Sequence, residues 1–329
     1  MKNIKKLFMF VLALVVSFGV LCTLTACGNN NHNNKISVVC TIFPEYDWVS
    51  EVIGEQKDNF DLTLLMNNGT DLHSYQPTVK DIAKIAKADL FIYVGGESDE
   101  WVDEALKNAT NKNMVVINLM DVLGDKAKEE KLKEGMQGEE EHEHEDEDEE
   151  EEEAEYDEHV WLSLKNAEIF VTEFANQIAK IDSANKDAYL NNAKTYNEKL
   201  ATLDAEYEQT VNNGAVKTLV FGDRFPFRYL VEDYNLDYYA AFIGCSAETE
   251  ASFKTITFLA GKVDELGLKV ILKIESSDGN IAHTIKQNTN NKNQQILTLD
   301  SMQSTTLKDG ATYLSILQTN LVTLKETVK

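Results

Sequence analysis

The sequence predicts an α/β fold with two lobes, each a mostly parallel sheet flanked by helices, joined by one long rigid helix. Strand-like and helix-like segments alternate over residues 35–119 and again from residue 216 onward, as in parallel α/β sheets. Between these regions, residues 164–211 carry almost continuous helical spacing. The chain has 329 residues, 43% of them hydrophobic, which is enough to build a core in both lobes.

The N-terminus has the pattern of an export signal. Three lysines in the first six residues precede an almost unbroken apolar run, residues 7–21, which is shorter than the roughly 20 residues of a membrane span. The following "LTAC" ends at Cys27 and resembles the lipobox of bacterial lipoproteins, whose cysteine carries lipid. We predict a signal peptide over 1–26, a polar tether over 27–35, and a lipid anchor on the extracytoplasmic face of the cell membrane. The alternative is a plain cleaved signal with a chance cysteine.

The first lobe is predicted over residues 36–163. A capping box formed by Thr78 and Asp81 opens one of its helices. The expected strands are "KISVVCTIF", "FDLTLLM", "LFIYVG" and "MVVINL". The expected helices are "YDWVSEVIG", "TVKDIAKIAKADL" and "DEWVDEALKNA".

An acidic run interrupts the first lobe. Sixteen of the twenty residues in 139–158 are Asp or Glu, and the whole chain has a net charge of −25. Because like charges repel, we predict a disordered insertion at about 126–156. Its histidines, His142 and His144, are expected to form a low-affinity loop that attracts cations. Such a surface also argues against nucleic acid as a partner.

Residues 164–213 are predicted to be a helical connection, and residues 214–329 the second lobe. No proline or glycine interrupts 187–213, so that part should be one stiff helix. The expected strands of the second lobe are "VKTLVF", "LDYYAAFIG", "KVILKIES" and "QQILTLD". Ligands of such sheets bind outside the carboxyl ends of the strands, and often between domains, so we predict a site in the cleft between the lobes.

Two of the six histidines are placed to bind a ligand. His73 lies in "GTDLHSYQP", the loop after the second strand, and His159 lies in "YDEHVWLS", where apolar residues anchor it to the core. Neutral imidazole is the commonest metal ligand in proteins. The other histidines lie elsewhere: His32 in the tether, His142 and His144 in the acidic run, and His283 in a polar helix.

These segments resemble a known family. "GTDLHSYQPTVKD", "YDEHVWLS" and the terminal "LDSM…DGATYLSILQTNL" are similar to the zinc- or manganese-binding lipoproteins of bacterial ABC importers, over nearly the whole mature chain. The resemblance implies one divalent transition metal, bound between the lobes and passed to an ABC permease and its ATPase. It also implies a monomer without enzymatic activity.

The resemblance implies ligands from both lobes. His73 matches the first ligand, His159 the second, and Asp300 the acidic ligand of the second lobe. The family's third ligand directly follows the first strand of the second lobe, where this chain has Gly222. Since glycine has no side chain, the neighbouring Asp223 becomes a candidate ligand.

The roles of the second-lobe acids stay open at this point. Asp223 could bind the metal, it could pair with Arg224 or Arg228, or water could fill the position. Glu275 ends a strand beside the expected site and could support it from outside. The weaker candidates are Glu248 and Glu250.

Zinc is the favoured ion, because insertions rich in histidine and acid resemble those of the zinc-specific branch of the family. Two histidines with carboxylates are also compatible with manganese or iron. A metal-dependent hydrolase could use the same ligands with an open water position, but no HExxH-type motif is present. A surface adhesin on this scaffold is a third hypothesis.

Of the four cysteines in the chain, one lies in the signal and Cys27 is the lipid site, which leaves Cys40 and Cys245. Export permits a disulfide between them. The alternative is two buried free thiols, since free cysteine is commonly buried.

Overall fold

The computed structural model describes residues 35–138, 155–246 and 250–329. Within them the predicted fold class is confirmed: two four-stranded sheets, each flanked by helices, are connected through one long helix. All strand pairs within the two sheets are parallel. No helix of these described ranges is both long and apolar enough to cross a membrane.

The first sheet has the strand order β2-β1-β3-β4, so that β1 and β3 are central. Its strands are β1 (Ile36–Cys40), β2 (Phe60–Leu64), β3 (Leu90–Tyr93) and β4 (Val115–Asn118). Its helices are α1 (Phe43–Ile53), α2 (Val79–Ile85), α3 (Trp101–Lys107) and α4 (Leu119–Leu123).

Strand β1 ends earlier than its apolar run suggests, because the next helix begins inside that run. Pro44 occupies the first turn of α1, a position where its missing N–H costs nothing. The Glu45 carboxylate accepts hydrogen bonds from the backbone N–H groups of Thr41 and Ile42, at 2.8 and 3.3 Å. Capping therefore decides where this helix starts.

The second sheet has the order β6-β5-β7-β8. Its strands are β5 (Thr218–Phe225), β6 (Asp237–Ile243), β7 (Val270–Lys273) and β8 (Gln295–Thr298). Its helices are α7 (Arg228–Asp233), α8 (Phe253–Glu265), α9 (Asn280–Asn288) and α10 (Tyr313–Thr327).

Two helices connect the lobes, α5 (Leu164–Ile181) and α6 (Lys186–Asn213). The 28 residues of α6 make it about 42 Å long. Its apolar stripe is buried as the spacing predicts. The members of the stripe are Tyr189, Ala193, Tyr196, Leu200, Leu203, Tyr207 and Val211.

One buried cluster of side chains runs through both lobes. At its centre the indole N–H of Trp161, from the first lobe, donates to the carbonyl of Ser301 in the second lobe at 2.8 Å. The Tyr313 hydroxyl of α10 donates back to the Trp161 carbonyl at 2.6 Å, and its ring packs edge-on against Trp48. The two lobes therefore share one hydrophobic core and are joined by these hydrogen bonds.

The predicted disorder at about 126–156 is wrong at both ends of that range. Residues 128–130 pair antiparallel with residues 155–157 through two backbone hydrogen bonds of 2.8 Å. The N–H of Gln137 donates to the carbonyl of Ala241 on the edge strand β6 at 2.9 Å. Lysines alternate with acids before residue 134, so like-charge repulsion is weak there.

Several predicted features lie outside the described residues. They are the signal peptide, most of the tether with Cys27, the core of the acidic run with His142 and His144, and Glu248.

Strand β5 passes very close to α9 at Gly222. A Cβ atom there would lie 2.4 Å from the Cα of Ala282 and 2.7 Å from its nitrogen. The position therefore excludes any side chain and faces α9, which corrects the expectation that Gly222 marks a vacant ligand position. After a register shift in β5, Arg224 is the residue that reaches the first lobe.

The Gly222→Ala variant should be destabilised by about 1–3 kcal/mol, because the added methyl group overpacks β5 against the α9 backbone. Gly261→Ala is the matched control: a Cβ at Gly261 in α8 contacts nothing within 4 Å, and alanine favours a helix interior. Urea unfolding of both variants measures the difference. Equal stability of the two would contradict the close approach.

Candidate metal centre

His73 is held by one contact within its own loop and one with the loop that follows β3. The Asp71 carboxylate accepts from the His73 backbone N–H at 3.1 Å and caps the short 3-10 turn Leu72–Ser74. The ring Nδ1 lies 2.7 Å from the Ser98 hydroxyl, which follows β3. Because Nδ1 is engaged, Nε2 is the atom that the ring presents to the cleft.

His159 is fully buried and is oriented by a neighbouring carboxylate. Asp157 Oδ1 accepts from the His159 backbone N–H and lies 2.9 Å from its ring Nδ1. Such a carboxylate partner fixes the ring of a metal-binding histidine and leaves Nε2 as the ligand atom.

The two Nε2 atoms face each other at 3.1 Å. Two nitrogens bound to one tetrahedral zinc ion, at about 2.0–2.1 Å each, lie about 3.3 Å apart. The separation of His73 and His159 therefore fits two ligands of one small divalent ion.

The surroundings of the pair raise the pKa of His159 and lower the pKa of His73. Burial lowers the pKa of His73, and the positive charge of His159 lowers it further. Burial alone would also lower the pKa of His159, but Asp157, Glu158 and Glu130 outweigh it and raise that pKa. The two Nε2 atoms lie within hydrogen-bond distance of each other. Binding of a metal ion requires both Nε2 atoms to be free of protons.

Cys245 completes the group. Among the described residues, His73, His159 and Cys245 each offer one ligand atom, and these atoms all lie within 4.8 Å of one another. The Cys245 loop follows β6 and rests on the His159 ring: a Cβ atom on Gly244 would lie 2.8 Å from His159 Cε1. Sequence reasoning missed this candidate ligand, although Cys245 directly follows the carboxyl end of a predicted strand.

The two cysteines do not form a disulfide. Cys40 lies fully buried in β1, and Cys245 is a partly exposed free thiol. Burial, followed by the nearby charges of Glu130 and Glu158, raises the pKa of the Cys245 thiol.

Arg224 links the loops that carry the first and third members of the group. Its guanidinium donates to Asp71 Oδ2 at 2.6 Å and to the carbonyl of Ser246 at 3.4 Å. Although burial would raise it, Arg224 holds the pKa of Asp71 below its ordinary value. Through these two contacts, Arg224 ties the His73 loop to the Cys245 loop.

The structure does not bring Asp300 into the group with the histidines. Its Oδ1 accepts from the Met302 N–H at 2.8 Å, and burial and the charge of Glu275 raise its pKa to about 7. Glu275 lies near Asp300 and accepts from the Ser301 N–H at 2.7 Å. The turn after β8 thus uses both carboxylates to bind its own backbone.

Asp223 is also occupied elsewhere. Its carboxylate accepts from the N–H groups of Arg224 and Ile274, at 2.9 and 3.3 Å, and so ties β5 to the end of β7. The two arginines considered as its partners pair with other acids, Arg224 with Asp71 and Arg228 with Glu232. Glu250 is exposed and does not belong to the group.

Gln303 is a second residue that sequence reasoning missed. Its side-chain amide has hydrogen-bond partners for both atoms in one orientation. In that orientation the nitrogen donates to Asp71 at 3.1 Å and the oxygen accepts from His159 Nε2 at 3.1 Å. Gln303 lies in the terminal motif, three residues after Asp300, the residue that the resemblance implied as the acidic ligand.

Comparisons with known proteins agree on one family. Residues 38–327 match the family described as "Zinc-uptake complex component A periplasmic". The high-affinity zinc uptake system protein ZnuA of Bacillus subtilis is 33% identical over 310 residues, which are 92% of this chain and 93% of that protein. The zinc-binding lipoprotein AdcA of Streptococcus pneumoniae is 30% identical over 98% of this chain, which spans 61% of AdcA.

Solved structures share the fold. The Zn(II)-bound ZnuA-like domain of Streptococcus pneumoniae AdcA has a TM-score of 0.69 and 27% identity, covering 90% of this chain and 99% of that domain. The laminin-binding protein Lmb of Streptococcus agalactiae, described as having adhesin and metal-transporting activity, has a TM-score of 0.70 and 25% identity over 89% of this chain and 100% of its own.

The family match confirms the resemblance seen in the histidine motifs and the prediction that the protein is not an enzyme. The approach of His73 and His159 to an Nε2–Nε2 distance of 3.1 Å gives that match a structural basis. The chain belongs to the family of the zinc-uptake component ZnuA, a family of metal-binding transport proteins.

Proposed function

We propose that this protein binds one zinc ion between His73 and His159 and delivers it to an ABC permease driven by its ATPase. The observation that carries the proposal is the pair of Nε2 atoms 3.1 Å apart, each on a ring whose Nδ1 is engaged by another residue. Zinc is supported over manganese and iron by the names of the relatives, a zinc uptake protein and a zinc-binding lipoprotein.

The protein acts outside the cytoplasmic membrane as a lipid-anchored monomer. Support comes from the basic and apolar N-terminus that ends in "LTAC", and from a relative described as a lipoprotein. Attachment through Cys27 holds the receptor beside its permease, since acyl chains contribute about 0.8 kcal/mol per buried CH₂. Metabolic labelling with a fatty acid, lost in Cys27→Ala, tests this anchor.

Adhesion is a second candidate function, favoured by the structural likeness to the laminin-binding protein Lmb. It predicts saturable binding of the purified protein to laminin. Absence of such binding removes this candidate and leaves zinc delivery untouched.

Zinc binding should depend on the histidine pair. His73→Ala and His159→Ala should each weaken the tight site by at least about 100-fold, because loss of a ligand exceeds the 10–100-fold cost of losing its outer partner. His283→Ala, an exposed histidine on α9, is the control and should bind zinc as the parent protein does. Titration calorimetry measures all three, and tight binding in the double variant would refute the site.

The orientation of His159 should depend on Asp157. Asp157→Asn keeps the size of the side chain but removes the charge that holds Nδ1–H, so zinc affinity should fall about 10–100-fold. Asp61→Asn, exposed on β2, is the charge-matched control. An unchanged affinity in Asp157→Asn would show that backbone packing alone positions the ring.

The acidic run should supply weak binding only. When a short Gly/Ser linker replaces residues 139–154, the tight zinc site should persist and the weak, salt-sensitive sites should disappear, because clustered carboxylates attract any divalent cation. Equilibrium dialysis at low and high salt measures both classes. Loss of the tight site in this variant would show that the insertion supplies the ligands.

A further inference from the structure

We propose that Cys245 is the ligand supplied by the second lobe, so that the metal is bound by two imidazoles and one thiolate. This inference rests on the proposed function and specifies its ligand set. It assigns the site a preference for thiophilic cations such as zinc and cadmium over manganese, since soft sulfur ligands disfavour hard ions.

The position of Cys245 is the first argument. Its sulfur lies within 4.8 Å of the ligand atoms of His73 and His159. A thiolate and an imidazole nitrogen on one tetrahedral zinc ion, at about 2.3 and 2.05 Å from the metal, lie about 3.6 Å apart. A small movement of the loop toward the histidines therefore closes the coordination sphere.

The loop that carries Cys245 is built against the histidines. The backbone of Gly244 packs on the imidazole of His159, where a Cβ would stand 2.8 Å from Cε1 and 3.0 Å from the carbonyl oxygen of Phe225. On the other side of Cys245, the carbonyl of Ser246 accepts from Arg224, which also holds Asp71 of the His73 loop. Both neighbours of Cys245 are thus tied to the metal-binding region.

The other second-lobe groups are already engaged. Asp223 accepts from two backbone N–H groups, and Asp300 accepts from Met302 while its carboxyl group faces Glu275. Gly222 excludes a side chain. The Cys245 thiol also interacts with Glu130, but its sulfur lies in the same group of ligand atoms as both histidines.

Binding converts the S–H bond of Cys245 into a metal–sulfur bond and releases one proton to solvent, with no change of oxidation state. Three protein ligands leave a fourth position of the tetrahedron. The carbonyl oxygen of Gln303, 3.1 Å from His159 Nε2, would offer a neutral oxygen for that position.

Cobalt(II) is the probe, because a thiolate bound to it gives a charge-transfer absorption in the near ultraviolet that nitrogen and oxygen ligands do not give. The purified full-length protein should show this absorption with one equivalent of cobalt, and zinc should abolish it. Cys245→Ser should lose the absorption and bind zinc at least about 100-fold more weakly.

Cys40→Ala is the matched control, since Cys40 lies buried in β1 of the first lobe. It should keep both the absorption and the affinity, and Cys27 is present in every variant. Cys245→Asp should lower the ratio of zinc affinity to manganese affinity at least about tenfold, because it replaces sulfur with a hard oxygen ligand. Circular dichroism establishes that each variant is folded.

The outcomes separate this inference from the proposed function. Tight zinc binding without the charge-transfer absorption, and unaffected by Cys245→Ser, overturns the thiolate ligand and leaves the histidine site standing. Absence of tight zinc binding in the parent protein overturns the proposed function itself. An absorption that persists in Cys245→Ser assigns the sulfur to another cysteine and also overturns the inference.

Discussion

The hydrogen bonds between Trp161 and the second lobe are the constraint on which the cleft depends. They join residues about 140 positions apart at the centre of a hydrophobic cluster shared by both lobes, where apolar burial contributes about 25 cal/mol per Å². Because Trp161 lies two residues after His159, the contact that fuses the lobes also places that histidine. The segment that carries His159 is consequently held against the second lobe.

The centre combines burial with positioned charge. The His159 imidazole is fully buried, and Asp157 makes its second nitrogen a fixed donor. Across the cleft, Arg224 joins the two loops that approach it from opposite lobes. Both imidazoles have Nδ1 engaged by a neighbouring residue, so the two histidine ligands are oriented before a cation enters.

The acidic insertion is attached directly to this centre. Residues 128–130 and 155–157 form its paired base, and Asp157 belongs to both the base and the histidine site. The region rich in carboxylates therefore begins next to the residue that orients His159. Under the proposed function, this run binds divalent cations weakly and the histidine pair provides the tight site.

The sequence by itself determined the two alternating lobes, the long helix and both histidines, because strand and helix periodicity, proline and glycine positions and short motifs are local signals. The tertiary structure decided which other side chains join the histidines. Cys245 and Gln303 approach them, whereas Asp223 and Asp300 bind nearby backbone. Which residues converge depends on strand register, on the close packing of Gly222 against α9 and on the loops that Arg224 links. None of these is encoded in local spacing, because each arises from contacts between segments far apart in the chain.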